Sequence, residues 1–287
     1  MTSQPQQPST AIENGRIPWI MYGTAWKEAQ TERLVELAVQ QGFRGIDTAN
    51  QRKHYDEAAV GRALSKLIAS GFVTRDELFL QTKFTFLHGQ DHRLPYDPAA
   101  RIATQVQQSF DSSLEHFGTE TIDSYVLHGP SRGTGLGPDD WEAWQAMEEI
   151  HDSGRAKMLG VSNVNLDQLQ LLHQKSRVRP RFVQNRCYAV RGWDRRVREF
   201  CNANGILYQG FSLLTANREV LARPELVRIA KHYGRTVSQI VFRFSLDIGM
   251  LPLTGTTNAD HMRDDLAISD FRLDADDVRL IEHLGST

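Results

Sequence analysis

Short apolar runs that stop on a polar residue alternate along this chain with stretches whose apolar positions recur every three or four residues. The first pattern reads as strands buried on both faces, and the second as amphipathic helices. Leu34, Leu37 and Ala38 share one face of a predicted helix over Thr31–Gln41, which Gly42 closes. The spacing predicts further helices over 57–70, 97–117, 139–153, 166–175, 194–204, 225–233, 237–246, 259–268 and 274–284. Between them fall predicted strands at 17–24, 43–47, 78–83, 124–128, 157–161, 182–184, 206–211 and 250–253. Regular alternation of this kind argues for a parallel sheet with crossover helices. About eight units favour closure, so the expected fold is α/β, a single-domain (β/α)8 TIM barrel over residues 13–287. Residues 1–12, polar and proline-containing, are expected to be a disordered tail.

Composition narrows the classes. A net charge of −2 with no Lys/Arg block gives no nucleic-acid footprint. No apolar run approaches the roughly 18 residues of a membrane span, and the N-terminus has neither a basic nor an apolar segment of a secretory signal. Cys187 and Cys201 supply neither a disulfide framework nor metal-ligand spacing, and fit packed thiols in a reducing, cytoplasmic setting. His88 and His92 lack a third ligand nearby, so no metal is expected. Gly133 to Gly137 has the wrong spacing for a dinucleotide fingerprint and reads as a flexible loop.

The strand ends carry the chemistry. In a barrel those ends and the loops beyond them share one face. Three successive predicted strands end on Asp47, Lys83 and His128. Later ones run into Ser162 and Asn163, Gln184 and Asn185, Phe211 and Ser212, and Thr254. A buried lysine beside an acid stays protonated, and its charge lowers the pKa of a neighbouring tyrosine. Tyr55, on the loop after Asp47, could then exchange a proton near neutral pH, while His128 orients a carbonyl oxygen. Such a set polarises a carbonyl without a nucleophile or a metal. The aromatic plane of Phe211 could hold a flat ring, with nicotinamide the obvious candidate.

The run DTANQRKHYDEAAVG, from Asp47 to Gly61, resembles the second-strand motif of the aldo-keto reductase superfamily, and the resemblance extends over nearly the whole chain. It implies a catalytic tetrad of Asp47, Tyr55, Lys83 and His128, with Tyr55 as general acid. It further implies that Ser162, Asn163 and Gln184 bind the nicotinamide carboxamide and that Phe211 stacks on the ring. PLTGTTNADHMRDDL resembles the loop for the cofactor's pyrophosphate and adenosine. The implied cofactor contacts are thus Thr24, Ser212, Thr254, Gly255, Thr256, Thr257, His261 and Asp265 in addition. NADPH is the implied cofactor, with NADH possible, because Leu253 and His261 stand where the family commonly has a lysine and an arginine or glutamine. Arg263 and Asn258 are the nearby substitutes.

The loop between Asp47 and Tyr55 is longer than the family's, which leaves His54 or Arg52 as competitors for the proton-donor place. Gly129-Pro130 replaces the usual Trp-Pro, removing a pocket wall. Trp26, His54 and Gly129 are the candidate substrate contacts, with Trp19, Trp193 and the loop 131–139 as further walls. The expected activity is reduction of a small-molecule aldehyde or ketone by a monomer or weak homo-oligomer. Two alternatives stand beside it: a non-catalytic nucleotide-binding barrel acting through a protein partner, and a lyase using Lys83 as an amine nucleophile.

Overall fold

Each of the eight apolar runs becomes a barrel strand in the computed structural model, which describes residues 11–12 and 15–285. The strands are β1 Met21–Gly23, β2 Gly45–Asp47, β3 Phe79–Phe84, β4 Ile122–Leu127, β5 Ala156–Ser162, β6 Phe182–Arg186, β7 Leu207–Phe211 and β8 Met250–Thr254. They close in the order β8-β1-β2-β3-β4-β5-β6-β7, the (β/α)8 arrangement expected from the alternation. Residues 1–10 of the expected tail lie outside the described residues, and Ala11–Ile12 pair antiparallel with Gly15–Arg16. Among the described residues no helix is long and apolar enough to cross a membrane.

Two compact units make up the chain, and the first is Tyr22–Gln184. Its helices are α1 Thr31–Gln41, α2 Glu57–Ala69, α3 Ile102–Phe117, α4 Pro138–Asp152 and α5 Leu166–Lys175. Period-two alternation along β3 sorts its side chains. Thr82 points to the helix layer, where its hydroxyl donates to Glu57 at the start of α2. Buried Glu57 also meets His116 Nδ1 of α3 at 2.9 Å. Asp56 caps α2 by accepting from the backbone of Ala59 at 3.1 Å. The expected helix from Asp97 instead starts at Ile102. Asp97 accepts from the backbone of Ala99, closing one turn, and Arg101 is extended (ψ 151°), so the chain restarts there.

The second unit holds Asn185–Thr287 with the residues up to Met21. Its helices are α6 Arg195–Ala203, α7 Arg218–Leu221, α8 Pro224–Tyr233, α9 Val237–Asp247, α10 Ala259–Leu266 and α11 Ala275–His283. Trp193, expected as a pocket wall, is instead fully buried. Its indole N–H donates to the carbonyl of Ile281 at 3.0 Å and its ring packs on Phe244. Positive φ at Gly192, Trp193 and Asp194 turns that side chain inward, a feature periodicity does not register.

Close approach of α2 to α3 rests on one glycine. A Cβ on Gly61 would lie 1.7 Å from the carbonyl oxygen of His116. Gly61→Ala must push the helices apart and is expected to cost about 2 kcal/mol or more by chemical denaturation. An unchanged midpoint would contradict this packing.

Candidate active site

Parallel register places Asp47 of β2 opposite Gln81 of β3, with Lys83 two residues further along the same face. Both side chains therefore reach the Asp47 carboxylate. Lys83 Nζ donates to Oδ1 at 2.6 Å and Gln81 Nε2 at 2.7 Å. Gln184 Nε2 of β6 adds a third bond to the same oxygen at 2.9 Å. Lys83, fully buried, also donates to the carbonyl of Thr48 at 2.7 Å. Burial pushes the Lys83 ammonium down, and the charge of Asp47 opposes that shift. Thr24 lies beside the same strand end, its N–H and hydroxyl both donating to the Asp47 carbonyl at 3.0 Å.

The long loop after Asp47 is pinned at several points. Thr48 N–H donates to the carbonyl of Gln81. Asn50 donates to the Ser109 carbonyl at 3.0 Å, and Gln51 to that of Gly89 at 2.6 Å. The N–H groups of His54 and Tyr55 both donate back to the Gln51 carbonyl. These bonds put Tyr55, rather than His54, over Lys83. Lys83 Nζ lies 5.4 Å from the Tyr55 ring centre, and the His128 ring meets Tyr55 edge-on at 6.0 Å. His54 packs instead against Trp26, tilted by 36° with ring centres 3.8 Å apart, and its buried Nδ1 has no hydrogen-bond partner among the described residues.

The Tyr55 phenol differs from the lowered pKa expected of it. Burial pushes it up and the charge of Asp47 adds to the rise. The phenol stays protonated through the neutral range.

His128 sits one residue beyond β4, its N–H donating to the Phe84 carbonyl at 2.8 Å. Burial, helped by the charges of Lys83 and His54, holds its imidazole down to about 3, so it is neutral. A neutral ring carries one N–H. Thr85 Oγ1 lies 2.6 Å from His128 Nδ1. When that hydroxyl donates, Nδ1 is the acceptor and Nε2 keeps the proton, ready to donate to an oxygen. Thr85 was missed in the sequence, although it lies two residues past Lys83 in the series Gln81, Lys83, Thr85.

Asn163, left-handed at φ 52°, donates through Nδ2 to the His128 carbonyl at 2.8 Å and to Ser162 Oγ at 3.1 Å. Ser162 Oγ donates to the Gln184 carbonyl at 2.6 Å. With both Nδ2 protons engaged, exposed Asn163 presents Oδ1 as an acceptor, which suits the amide N–H of a carboxamide. A cavity of about 410 Å³ opens beside His128, bounded by Gln51, Thr85, Phe86, Gly129 and Asn163. Trp26 stands 68% exposed and is not among its lining residues.

The second unit holds the other candidate cofactor residues. Phe211 ends β7 beneath the Arg186 guanidinium at 5.7 Å, and Ser212 follows at φ 58°. Thr254, at the end of β8, donates to Asp265 Oδ2 at 2.7 Å, and burial pushes that carboxyl up to about 6. Gly255, Thr256 and Thr257 run on to Asn258, which caps α10 by accepting from the N–H groups of Asp260 and His261. Exposed Arg263 is paired with Asp260.

A profile of the Aldo/keto reductase family matches residues 18–286. The uncharacterized oxidoreductase YtbE of Bacillus subtilis is 28% identical over 287 residues, covering 99% of this chain and 95% of the relative. Aldo-keto reductase AKR2E4 of Bombyx mori is 29% identical over 305 residues, covering 98% and 93%. The crystal structure of that silkworm protein in complex with NADP superposes with a TM-score of 0.81 at 27% identity, covering 97% of this chain and 93% of that one. The aldo/keto reductase structure from Brucella melitensis gives 0.80 at 27% identity, covering 97% and 100%.

Removing the carboxylate should expose the cost of the buried cation. Asp47→Ala strands Lys83 without an anion and is expected to lose about 3–5 kcal/mol of stability in a denaturant titration. The double change Asp47→Ala with Lys83→Met should recover part of that loss. Equal losses in the single and double variants would show that the pair is not the constraint.

Proposed function

The chain belongs to the aldo/keto reductase family, and from that premise we propose that it reduces an aldehyde or ketone to the alcohol with NADPH, Tyr55 supplying the proton. Family membership makes it an NAD(P)-dependent oxidoreductase. The observation that carries the finer reading is the gathering of Asp47, Lys83, Tyr55 and His128 in a single unit, with His128 lining the cavity. When bound, the reduced nicotinamide supplies a hydride to the carbonyl carbon. NADPH is favoured by the NADP found with the silkworm relative. We assign the carboxamide to Ser162, Asn163 and Gln184 and the ring face to Phe211. Thr24, Ser212, Thr254 to Thr257, His261 and Asp265 are assigned to the remainder, following the family pattern.

The protein's own part is to hold and protonate the oxygen. Neutral His128 donates from Nε2 to the carbonyl oxygen, and the Tyr55 O–H donates to the same atom. As negative charge builds there, the phenol gives up its proton, completing addition of a hydride and a proton across the C=O bond. Lys83 lies over the Tyr55 ring and steadies the phenolate left behind, while Asp47 keeps Lys83 from turning away. Because the resting phenol is pushed upward, Tyr55 suits the acid role in reduction better than the base role in alcohol oxidation. A cytoplasmic address is supported by Cys187 and Cys201, both buried and unpaired.

Tyr55→Phe is expected to lower kcat by about 10²–10⁴-fold, with NADPH affinity by fluorescence titration kept within about twofold. His54→Ala should retain most turnover, and the reverse pattern would move the proton donor to His54. Thr85→Val removes the hydroxyl that sets the His128 tautomer and should lower kcat by about tenfold. The pH profile of kcat should show no inflection near the ordinary imidazole value of 6.5, because His128 protonates only near 3. An inflection there that is lost in His128→Gln would contradict the neutral-histidine account.

A further inference from the structure

The cavity beside His128 is lined on its outer side by Arg132, and no acidic residue lines it anywhere. Arg132 forms no ion pair among the described residues. Of the two acids that follow it in sequence, exposed Asp139 makes no ion pair with it, and buried Asp140 is already committed: Oδ1 accepts from the N–H of Ser131 at 2.6 Å, and Oδ2 from the Ser131 hydroxyl at 2.9 Å and the N–H of Gly137 at 2.7 Å. An exposed cation therefore faces a cavity with no counterion on its walls.

Its position is built rather than incidental. The loop from Ser131 to Gly137, of which Gly133 to Gly137 was expected to be flexible, is tied down on both flanks. Asp140 clamps its two ends, and Gln168 Nε2 donates to the carbonyls of Arg132 at 3.0 Å and Gly135 at 2.8 Å. The guanidinium lies flat against Gly137, where an added Cβ would come within 2.8 Å of Nε and 3.0 Å of Cζ. Gly137 thus gives the arginine a groove that a side chain would fill. A planar guanidinium fixed in this way recognises a carboxylate or a phosphate through paired N–H bonds.

We propose that Arg132 is the specificity-determining residue of this cavity, and that the substrate is an aldehyde or ketone bearing an anionic group, carboxylate or phosphate. The carbonyl lies toward His128 and the anion toward Arg132. The inference rests on the carbonyl-reductase reading of the same site. It adds what that reading leaves open, the chemical class of the substrate. The volume of about 410 Å³ suits a small molecule of that kind.

The test compares kcat/KM for two matched pairs, succinic semialdehyde against butanal and glyceraldehyde phosphate against glyceraldehyde. The native protein should prefer the anionic member of at least one pair by about tenfold, and the pair that shows it names the anion. Arg132→Met should erase that preference, mainly through KM, and Arg132→Lys should keep part of it. A preference that survives Arg132→Met, or equal rates within both pairs, overturns the assignment while leaving carbonyl reduction standing. Calorimetric titration with succinate, with and without NADP, separates the other failure. If no aldehyde is reduced, the reductase reading falls. The anion site then stands only if succinate binds and Arg132→Met weakens it about tenfold, and it falls if succinate does not bind or binds both proteins alike.

Discussion

A single carboxylate oxygen, Asp47 Oδ1, accepts three hydrogen bonds, from Lys83, Gln81 and Gln184. Burying an ammonium and a carboxylate costs several kcal/mol for each ion, and only close pairing with further hydrogen bonds offsets it. That requirement fixes much of the site. The Lys83 side chain cannot swing elsewhere without leaving a buried carboxylate unpaired. Because β2 contributes the carboxylate, β3 two of its donors and β6 the third, the strand ends are locked to one another by the same oxygen. Burial of the phenol, with the Asp47 charge adding to it, is why Tyr55 is not acidified. The site keeps its phenol protonated, with the Lys83 ammonium 5.4 Å from the ring centre.

A second consequence concerns His128. Next to a buried ammonium, an imidazolium would be repelled and poorly solvated, and its pKa is held to about 3. A neutral ring can donate from only one nitrogen, and when the Thr85 hydroxyl donates to Nδ1 that nitrogen is Nε2. Thr85 is itself anchored, since its carbonyl accepts from the Tyr96 hydroxyl at 2.8 Å. One strand and its continuation therefore present Gln81, Lys83 and Thr85 on a single face, and each sets the position or charge of a different partner. The Asn163 amide, bonded to the His128 carbonyl, joins the histidine to the neighbouring strand end.

Much of this was legible in the chain because it follows from periodicity. Alternating apolar runs and amphipathic stretches sufficed for eight strands closed into a barrel, and the helices Thr31–Gln41 and Leu166–Lys175 fall at their expected bounds. Asp47, Lys83 and His128 were visible because each ends a run of buried residues. Tyr55 was harder, for its loop departs from the usual length and its place depends on bonds from Asn50 and Gln51 to partners far along the chain. The direction of its pKa was misjudged because pairwise reasoning counted Lys83 without the burial of the phenol and the charge of Asp47. Trp193 was misjudged as a pocket wall, whereas the loop 131–139 does supply Ser131, Arg132 and Gly133 to the cavity. Positive φ values and buried side-chain clamps decide where such segments point, and neither has a local signature in composition.

The central claim is that this cluster hands a proton to an oxygen while the carbon of the same carbonyl receives the cofactor's hydride. The most direct measurement is label transfer. The native protein is incubated with a reducible aldehyde and NADPH deuterated at both positions of the nicotinamide C4, and the product alcohol is analysed by mass spectrometry. The account predicts one deuterium on the carbinol carbon of each alcohol formed, and an oxygen-bound hydrogen drawn from solvent. Alcohol that forms without deuterium on that carbon, or NADPH consumed with no alcohol formed, would contradict it.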